Sequence, residues 1–195
     1  MKLLLATTSR GKLREQRVCL EGLDVEVESL ESWPEIVPPE EPGPTFLDNA
    51  AAKAIYYHRA TGLAAVGEDS GLAIDALEGQ PGIHSARWLG HDTPYTVKNA
   101  RVLERLAGVA IQKRVARYVS AVALADGNDI VFSIEATCEG RIATEPRGDG
   151  GFGYDPIFFY PPFGKTMAEL SLAEKDAISH RGKAMAALCK FVATR

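Results

Sequence analysis

The chain has 195 residues, 46% of them hydrophobic, which suits one large domain or two small lobes that share a core; we expect a single domain over residues 1–195. A formal net charge of -4 makes no electrostatic case for nucleic acid as a partner. Three separated cysteines without a CxxC pair, and an apolar run of only Leu3 to Ala6 near the start, predict a cytoplasmic protein with reduced thiols, no zinc site and no membrane span.

The first quarter of the chain carries alternating strand and helix signals. Lys2 to Ala6 is a short apolar run typical of a strand, and a polar turn follows it. A helix is predicted from about Gly11 to Glu21, with Thr8 or Ser9 as its N-cap. This order places a polar loop at a helix N-terminus.

The next segment contains a strand, a proline-rich loop and a second helix. Residues 25–29 alternate as a strand does, and five prolines between residues 34 and 44 exclude a helix there. Thr45 and Asp48 form a variant capping box that opens a helix ending near Thr61. Asn49 and Lys53, four residues apart, lie on one face of that helix.

The remaining elements complete a mixed α/β pattern. A strand "LAAVGED" ends in acid at Asp69, and a helix follows in residues 92–108, with Pro94 in its first turn and Gly108 closing it. Two strands, Val115–Ala125 and Ile130–Ile142, are joined as a hairpin. A short strand "IFFY" and a helix Ser179–Thr194, capped by Ser179, complete the chain. We therefore predict an α/β fold with a mixed, partly antiparallel sheet flanked by helices.

The stretch "GDGGFGYDPIFFY", residues 148–160, is rich in glycine and rings. It formally contains GxGxxG, but the dinucleotide fingerprint needs a strand before it and a helix after it, and here Asp155 and Pro156 lead into a strand signal. A plain glycine-rich turn is one interpretation. The alternative is a base pocket, in which glycines allow close backbone approach while Phe152 and Tyr154 offer flat faces.

Acidic residues predict a metal site. Glu68 and Asp69 are adjacent, so on a strand they point to opposite sides and a site uses one of them most directly. Carboxylates are the ligands that Mg²⁺ prefers, and Glu40 or Glu41 could supply a second one. A solvated strand end is the competing interpretation.

Cations collect near the same predicted features. Arg10, Lys12, Arg14 and Arg17 surround the first helix start, where backbone N–H groups favour an anion, although the loop is not a Walker A motif. Lys53 either reaches inward or is a surface lysine. His180 and Arg181 stand in the first turn of the last helix, where the helix dipole disfavours cations, and this indicates a functional reason for them.

Taken together, these segments resemble one known family, the non-standard purine NTP pyrophosphatases, also called inosine triphosphatases or XTP/dITP diphosphatases. The resemblance covers nearly the whole chain, in order, through "ATTSRGKLRE", "EEPGPTFLDNAAAKA", "GEDSGLAIDALEGQPGIHSARW", "GDGGFGYDPIFF", "KTMAEL" and "EKDAISHRGKA". It implies an elongated sheet with two lobes around a central cleft, a homodimer, Mg²⁺ dependence, and hydrolysis of ITP, dITP and XTP to the monophosphate and pyrophosphate.

The resemblance also implies roles for individual residues. Asp69 is implied as proton acceptor and Lys53 as a catalytic residue that contacts phosphate. Metal binding is implied for Glu41 and Asp69, with Glu68 adjacent. Substrate binding is implied for Thr7, Thr8, Ser9, Arg10, Gly11, Lys12, Ser70, Phe152, Gly153, Tyr154, Asp155, Lys175, His180 and Arg181. Two positions depart from the family: Ser9 replaces a usual asparagine, and Glu68 replaces the aspartate usual in bacterial members.

Two other functions remain open at this point. One is a pyrophosphatase for modified pyrimidine triphosphates; the other is a catalytically silent nucleotide-binding or RNA-binding module that keeps the cleft. The intact set of Lys12, Lys53, Glu41 and Asp69 argues against silence, and the acidic balance argues against RNA.

Overall fold

The computed structural model describes all 195 residues. Its helices are α1 (Arg10–Leu20), α2 (Phe46–Thr61), α3 (Tyr95–Arg105), α4 (Leu172–Ile178) and α5 (His180–Val192), with short 3-10 turns between several elements. Its strands are β1 (Lys2–Ala6), β2 (Glu26–Ser29), β3 (Ala64–Ile74), β4 (Val115–Asp126), β5 (Asp129–Ile142), β6 (Phe158–Tyr160) and β7 (Lys165–Thr166). No helix is both long enough and apolar enough to cross a membrane.

The seven strands form one mixed sheet in the order β2-β1-β3-β4-β5-β6-β7. β1 pairs in parallel with β2 and with β3, with Leu5 opposite Ser29 on one side and Val66 on the other. β6 pairs antiparallel with β5 and with β7. The predicted mixed, partly antiparallel α/β class is confirmed.

The chain divides into two compact units. The first unit comprises residues 1–69, 120–136 and 180–195, and the second comprises residues 70–119 and 137–179. The single domain predicted from the sequence stays a prediction.

The first unit has apolar cores built around the parallel strands. Leu3, Leu5 and Val66 pack with Met185 and Leu188 of α5, which confirms the apolar stripe predicted for the last helix. A further cluster of small residues packs α2 against β4, through Ala50, Ala54, Ala121, Ala123 and Ala125. Close packing here needs glycine as well, because a Cβ at Gly67 would overlap the backbone of α2 at Ala50 and Ala54.

The second unit has its own core. Its fully buried residues include Leu72 and Ile74 of β3, Val102 of α3, Leu106 directly after that helix, and Phe158 of β6. The guanidinium of Arg114 is buried beside this core and donates to the carbonyl oxygens of Leu106, Val109 and Ala143. Arg114 thereby satisfies the carbonyls of Leu106 and Val109, which follow α3, and that of Ala143, which follows β5.

Several features differ from the sequence predictions. The helix α3 ends at Arg105 and is not closed by Gly108. The strand predicted to end at Asp69 continues to Ile74, because Leu72 and Ile74 add two more fully buried side chains to it. Pro94 is the residue before the first turn of α3 and not part of that turn. The helix α4 was not predicted, although Ser171 and Glu174 form a capping box at its start.

Candidate active site

In the first unit, Glu68 and Asp69 lie within β3 and not at its end. Their side chains are 1% and 5% exposed. As adjacent strand residues they point to opposite sides of the sheet and meet different partners. A solvated strand end is therefore excluded, and each carboxylate has its own surroundings.

The carboxylate of Asp69 is held from α2. Asn49 donates from Nδ2 to Asp69 Oδ2 at 3.1 Å, while Asn49 Oδ1 accepts the backbone N–H of Gly43 at 2.8 Å. Asn49 thus connects Asp69 to the proline-rich loop that carries Glu41. Burial raises the pKa of Asp69, an effect that the charges of Lys53 and Lys12 oppose and that of Glu41 reinforces.

Lys53 points inward from α2. Its Nζ donates to the backbone carbonyl of Glu68 at 2.9 Å and forms an ion pair with Glu41. The side chain is only 12% exposed, so the alternative of a surface lysine is wrong. Lys53, Glu41 and Asp69 therefore belong to one cluster.

The predicted polar loop, Thr7 to Lys12, consists of the turn between β1 and α1, which includes Thr8, and the first three residues of α1, Arg10, Gly11 and Lys12. Ser9 is the N-cap of α1: its Oγ accepts the N–H of Lys12 at 3.5 Å, and its own N–H donates to Thr7 Oγ1 at 3.2 Å. No acidic residue lies in the first turn. Serine thus fulfils the cap function at the position where the family usually has asparagine.

The carboxylate of Glu68 accepts three side-chain donors. Its Oε2 accepts Gln16 Nε2 at 2.7 Å, and its Oε1 accepts Ser120 Oγ at 3.1 Å and Arg181 Nε at 2.8 Å. Lys12 Nζ lies 3.9 Å from the same Oε1. Burial alone would raise the pKa of Glu68, but the charges of Arg181 and Lys12, with a further contribution from His180, hold that pKa well below its usual range.

The structure thus surrounds the Glu68 carboxylate with protein donors, and its predicted contact with a metal stays a prediction. Gln16 and Ser120, which supply two of these contacts, were missed because an isolated glutamine and serine carry no sequence motif. A group of three or more acidic, histidine or cysteine side chains arranged for a metal ion does not occur in the structure. Glu41 and Asp69 are the other two predicted ligands, and one or two carboxylates are what Mg²⁺ usually takes from a protein when phosphates and water complete its shell.

Burial also lowers the pKa of the Lys12 ammonium, against the opposing charge of Glu68. His180 and Arg181 open α5 and are buried, at 5% and 3% exposed. The expectation that these two cations stand in a first turn for a specific reason is supported for Arg181, which is paired with the carboxylates of Glu68 and Glu15.

In the second unit, the glycine-rich stretch folds around the carboxylate of Asp155. Asp155 Oδ2 accepts the N–H of Phe152 at 2.8 Å and Lys175 Nζ at 2.8 Å, and Oδ1 accepts Tyr118 OH at 3.1 Å. These contacts fix residues 152–155 as an ordered loop. The stretch is thus a glycine-rich turn region between β5 and β6 whose backbone is held by Asp155, and its use as a base pocket stays a prediction.

The two rings of this loop lie in different surroundings. Phe152 is 38% exposed, and Lys175 Nζ lies 4.7 Å from the centre of its ring. Tyr154 is 3% exposed, donates through its hydroxyl to the carbonyl of Ser85 at 3.0 Å, and meets Tyr95 edge-on. Phe152 is therefore the ring that this loop presents, whereas Tyr154 anchors the loop to the core.

The helix α3 holds the other side of the loop. Asn99 donates from Nδ2 to the carbonyl of Gly153 at 3.1 Å, and a Cβ on Gly153 would meet the Tyr95 ring at 3.6 Å. Ser70, the remaining predicted substrate contact, follows Asp69 on β3 and is half-buried. Asn99 and Tyr95 were not singled out from the sequence, where they read as ordinary helix residues.

Comparison with known proteins identifies the family of this mixed α/β chain. The family model for the Ham1 family matches residues 3–191. The chain belongs to the Ham1 family.

Individual relatives agree with this assignment. The chain is 44% identical over 185 residues to a dITP/XTP pyrophosphatase of Desulforamulus reducens, covering 95% of this chain and 92% of that one. It is 45% identical over 188 residues to a dITP/XTP pyrophosphatase of Thermus thermophilus, covering 96% and 90%.

Solved structures show the same fold. A HAM1 protein from Coxiella burnetii superposes with a TM-score of 0.90 at 36% identity, over the full length of both chains. A dITP/XTP pyrophosphatase from Mycobacterium abscessus superposes with a TM-score of 0.77 at 44% identity, covering 96% of this chain and 97% of that one.

Proposed function

We propose that this protein hydrolyses non-standard purine nucleoside triphosphates, namely ITP, dITP and XTP, to the nucleoside monophosphate and pyrophosphate. The observation that carries the proposal is the cluster in the first unit, where Lys53 bonds to Glu41 and to the Glu68 carbonyl beside the buried Asp69. The names of relatives about 44% identical over most of the chain support the choice of substrate.

Glu41 and Asp69 are the residues that would hold Mg²⁺. When bound, the ion neutralises phosphate charge and polarises the α-phosphorus. The donor set fits this use, because it offers two carboxylates with Lys53 paired to one of them, and substrate phosphates and water are the usual remaining ligands of Mg²⁺. The Glu68 carboxylate, adjacent to Asp69, accepts hydrogen bonds from three protein groups and helps to hold the cations of Arg181 and Lys12 in place.

The reaction assigns a task to each residue of the cluster. The loop from Thr7 to Lys12 directs the N–H groups of the α1 N-terminus at the triphosphate. Asp69 orients the attacking water and accepts its proton as the bond between the α- and β-phosphates breaks. Lys12 and Lys53 stabilise the negative charge that develops on the departing pyrophosphate.

The selectivity for the base follows from hydrogen-bond polarity. Hypoxanthine and xanthine carry a 6-oxo acceptor where adenine carries an amino donor, so a side chain that donates a hydrogen bond at this position favours the 6-oxo bases over adenine. The resemblance implies substrate contacts for Lys175, His180 and Arg181, and each of these side chains can donate. Phe152 supplies an apolar face, and Gly153, Tyr154 and Asp155 shape the loop around it. A mismatch that leaves buried groups unpaired discriminates by about 10⁴.

The resemblance further supports a homodimer in the cytoplasm that uses neither nucleic acid nor a membrane as partner. These assignments are part of the proposal.

The proposed bond cleavage is tested by hydrolysing dITP with Mg²⁺ in ¹⁸O-labelled water. Attack at the α-phosphorus places the label in dIMP and releases unlabelled pyrophosphate. Label in orthophosphate, or release of orthophosphate alone, would contradict the proposal. The variant Asp69→Asn should retain less than about a tenth of the wild-type kcat, a loss of more than ~1.4 kcal/mol in transition-state stabilisation.

A further inference from the structure

The inward face of α1 carries two buried polar residues to which neither the sequence motifs nor the proposed reaction gives a role. Glu15 and Gln16 are 6% and 1% exposed, whereas Arg14 and Arg17 on either side of them are exposed. A glutamate is almost never fully buried unless it is paired. The residue that pairs with Glu15 therefore indicates the role of this buried carboxylate.

That partner is Arg181. Arg181 Nη1 donates to Glu15 Oε2, and Arg181 Nε donates to Glu68 Oε1 at 2.8 Å. The three side chains are 3%, 7% and 1% exposed, in the order Arg181, Glu15, Glu68. A guanidinium is planar and rigid, so two carboxylates on two of its nitrogens fix its position and the direction of its remaining N–H groups.

The two carboxylates come from different elements and balance two cations. Glu15 lies one turn after Lys12 on α1, and Lys12 Nζ approaches the same Glu68 oxygen that accepts Arg181 Nε. Without the charge of Glu15, the two buried cations Lys12 and Arg181 both depend on the negative charge of Glu68. Repulsion between the two cations and a weaker hydrogen bond to an uncharged acceptor then both act to displace the guanidinium.

We propose that Glu15 is a positioning residue, which acts through Arg181 by holding its guanidinium in the orientation that binds substrate. The proposal rests on the proposed function, since that function gives Arg181 its substrate contact. Glu15 itself does not touch the substrate.

The first test is kinetic and uses Glu15→Gln, which keeps the shape of the side chain and removes its charge. KM for dITP should rise by about tenfold or more, with a smaller change in kcat per folded molecule, because glutamine still accepts the Arg181 N–H but without the charge that strengthens the bond. In an Arg181→Lys background, Glu15→Gln should add little to KM, because residues that act as one unit are not additive. The conservative variant Glu15→Asp keeps the charge and should have a KM between that of the wild-type protein and that of Glu15→Gln.

A matched control is Asp126→Asn, which removes an exposed carboxylate paired with Arg195 elsewhere in the same unit. It should leave KM unchanged. A purely structural role for Glu15 would lower the unfolding free energy and the folded fraction while leaving the KM of the folded molecules at the wild-type value. That result, or full additivity with Arg181→Lys, would overturn the proposal.

A second measurement does not depend on activity. The Nε–H resonance of Arg181, identified by its disappearance in Arg181→Lys, should exchange slowly with water in the wild-type protein and much faster in Glu15→Gln. If the wild-type protein fails to hydrolyse dITP while this difference is present, the proposed function fails and the positioning by Glu15 stands. Equal exchange in the two proteins would contradict the positioning whatever the substrate.

Discussion

Lys175 and Asp155 form a buried ion pair, with Lys175 Nζ 2.8 Å from Asp155 Oδ2 and both side chains at most 6% exposed. The pair connects α4 to the loop that carries Phe152. Because Asp155 also accepts the N–H of Phe152 and the hydroxyl of Tyr118, its carboxylate determines the shape of this loop.

Asp155→Asn should therefore lower the unfolding free energy by about 3 kcal/mol, because it leaves the Lys175 ammonium buried without its counter-charge. Urea unfolding measures this loss. The exposed pair of Arg101 and Glu104 provides a control: Glu104→Gln should change stability little. If both variants lose a similar amount of unfolding free energy, burial does not make the ion pair of Asp155 more important for stability than an exposed pair.

The rings of the loop should respond differently to substitution. Phe152→Leu should raise KM for dITP several-fold with less effect on kcat, since a ring face contributes alike to the ground state and the transition state. Tyr154→Phe keeps the ring and loses the bond to Ser85, so it should lower the unfolding free energy by about 1 kcal/mol and affect KM less than Phe152→Leu does. The reverse order of the two effects on KM would assign the base contact to Tyr154.

Glycine at position 151 is required by space as well as by backbone angle. Gly151 and Gly164 both have positive φ, +69° and +65°, but a Cβ on Gly151 would overlap the Asp155 carboxylate, whereas a Cβ on Gly164 meets nothing. Gly164→Ala should cost about 1 kcal/mol in backbone strain. Gly151→Ala should cost about 1–3 kcal/mol more and raise KM for dITP, because the side chain must displace Asp155. Equal thermal unfolding and equal KM in the two variants would refute this role of Gly151.

The metal assignment gives a titration experiment. Chelation of divalent ions should abolish turnover, and Glu41→Gln should shift the activating Mg²⁺ concentration upward, since one of two proposed carboxylate ligands is lost. Glu68→Gln should disturb KM for dITP more than the Mg²⁺ requirement, because the Glu68 carboxylate contacts Gln16, Ser120 and Arg181. An unchanged Mg²⁺ titration in Glu41→Gln would remove Glu41 from the metal site.

The fold was predictable from local patterns where those patterns are strong. The caps at Ser9 and Thr45 and the apolar stripe of α5 specify their helices directly. The continuation of β3 beyond Asp69 was missed because two acids look like a strand end, and only tertiary burial of Leu72 and Ile74 extends the strand. The two-residue strand β7 is defined by its pairing with β6 and has no signal of its own.

The sequence marked several residues that the structure brings together, such as Lys53, Glu41 and Asp69, but it did not mark the side chains that surround them. Adjacency showed that Glu68 and Asp69 face opposite sides, but not which one meets Arg181 from a helix 113 positions away in sequence. Glu15 and Gln16 stand between exposed arginines, so no pattern on α1 marks them as buried. Such contacts depend on long-range packing, which periodicity does not encode.

The central claim is selective cleavage of 6-oxo purine triphosphates that are not standard DNA precursors. Its most direct measurement is kcat/KM for pyrophosphate release from dITP, XTP, dGTP, dATP and dTTP, each with and without Mg²⁺. We predict that dITP and XTP exceed dATP and dTTP by several orders of magnitude, exceed dGTP clearly, and require Mg²⁺. Preferred turnover of dTTP or dATP, or absence of turnover with every nucleotide, would contradict the account.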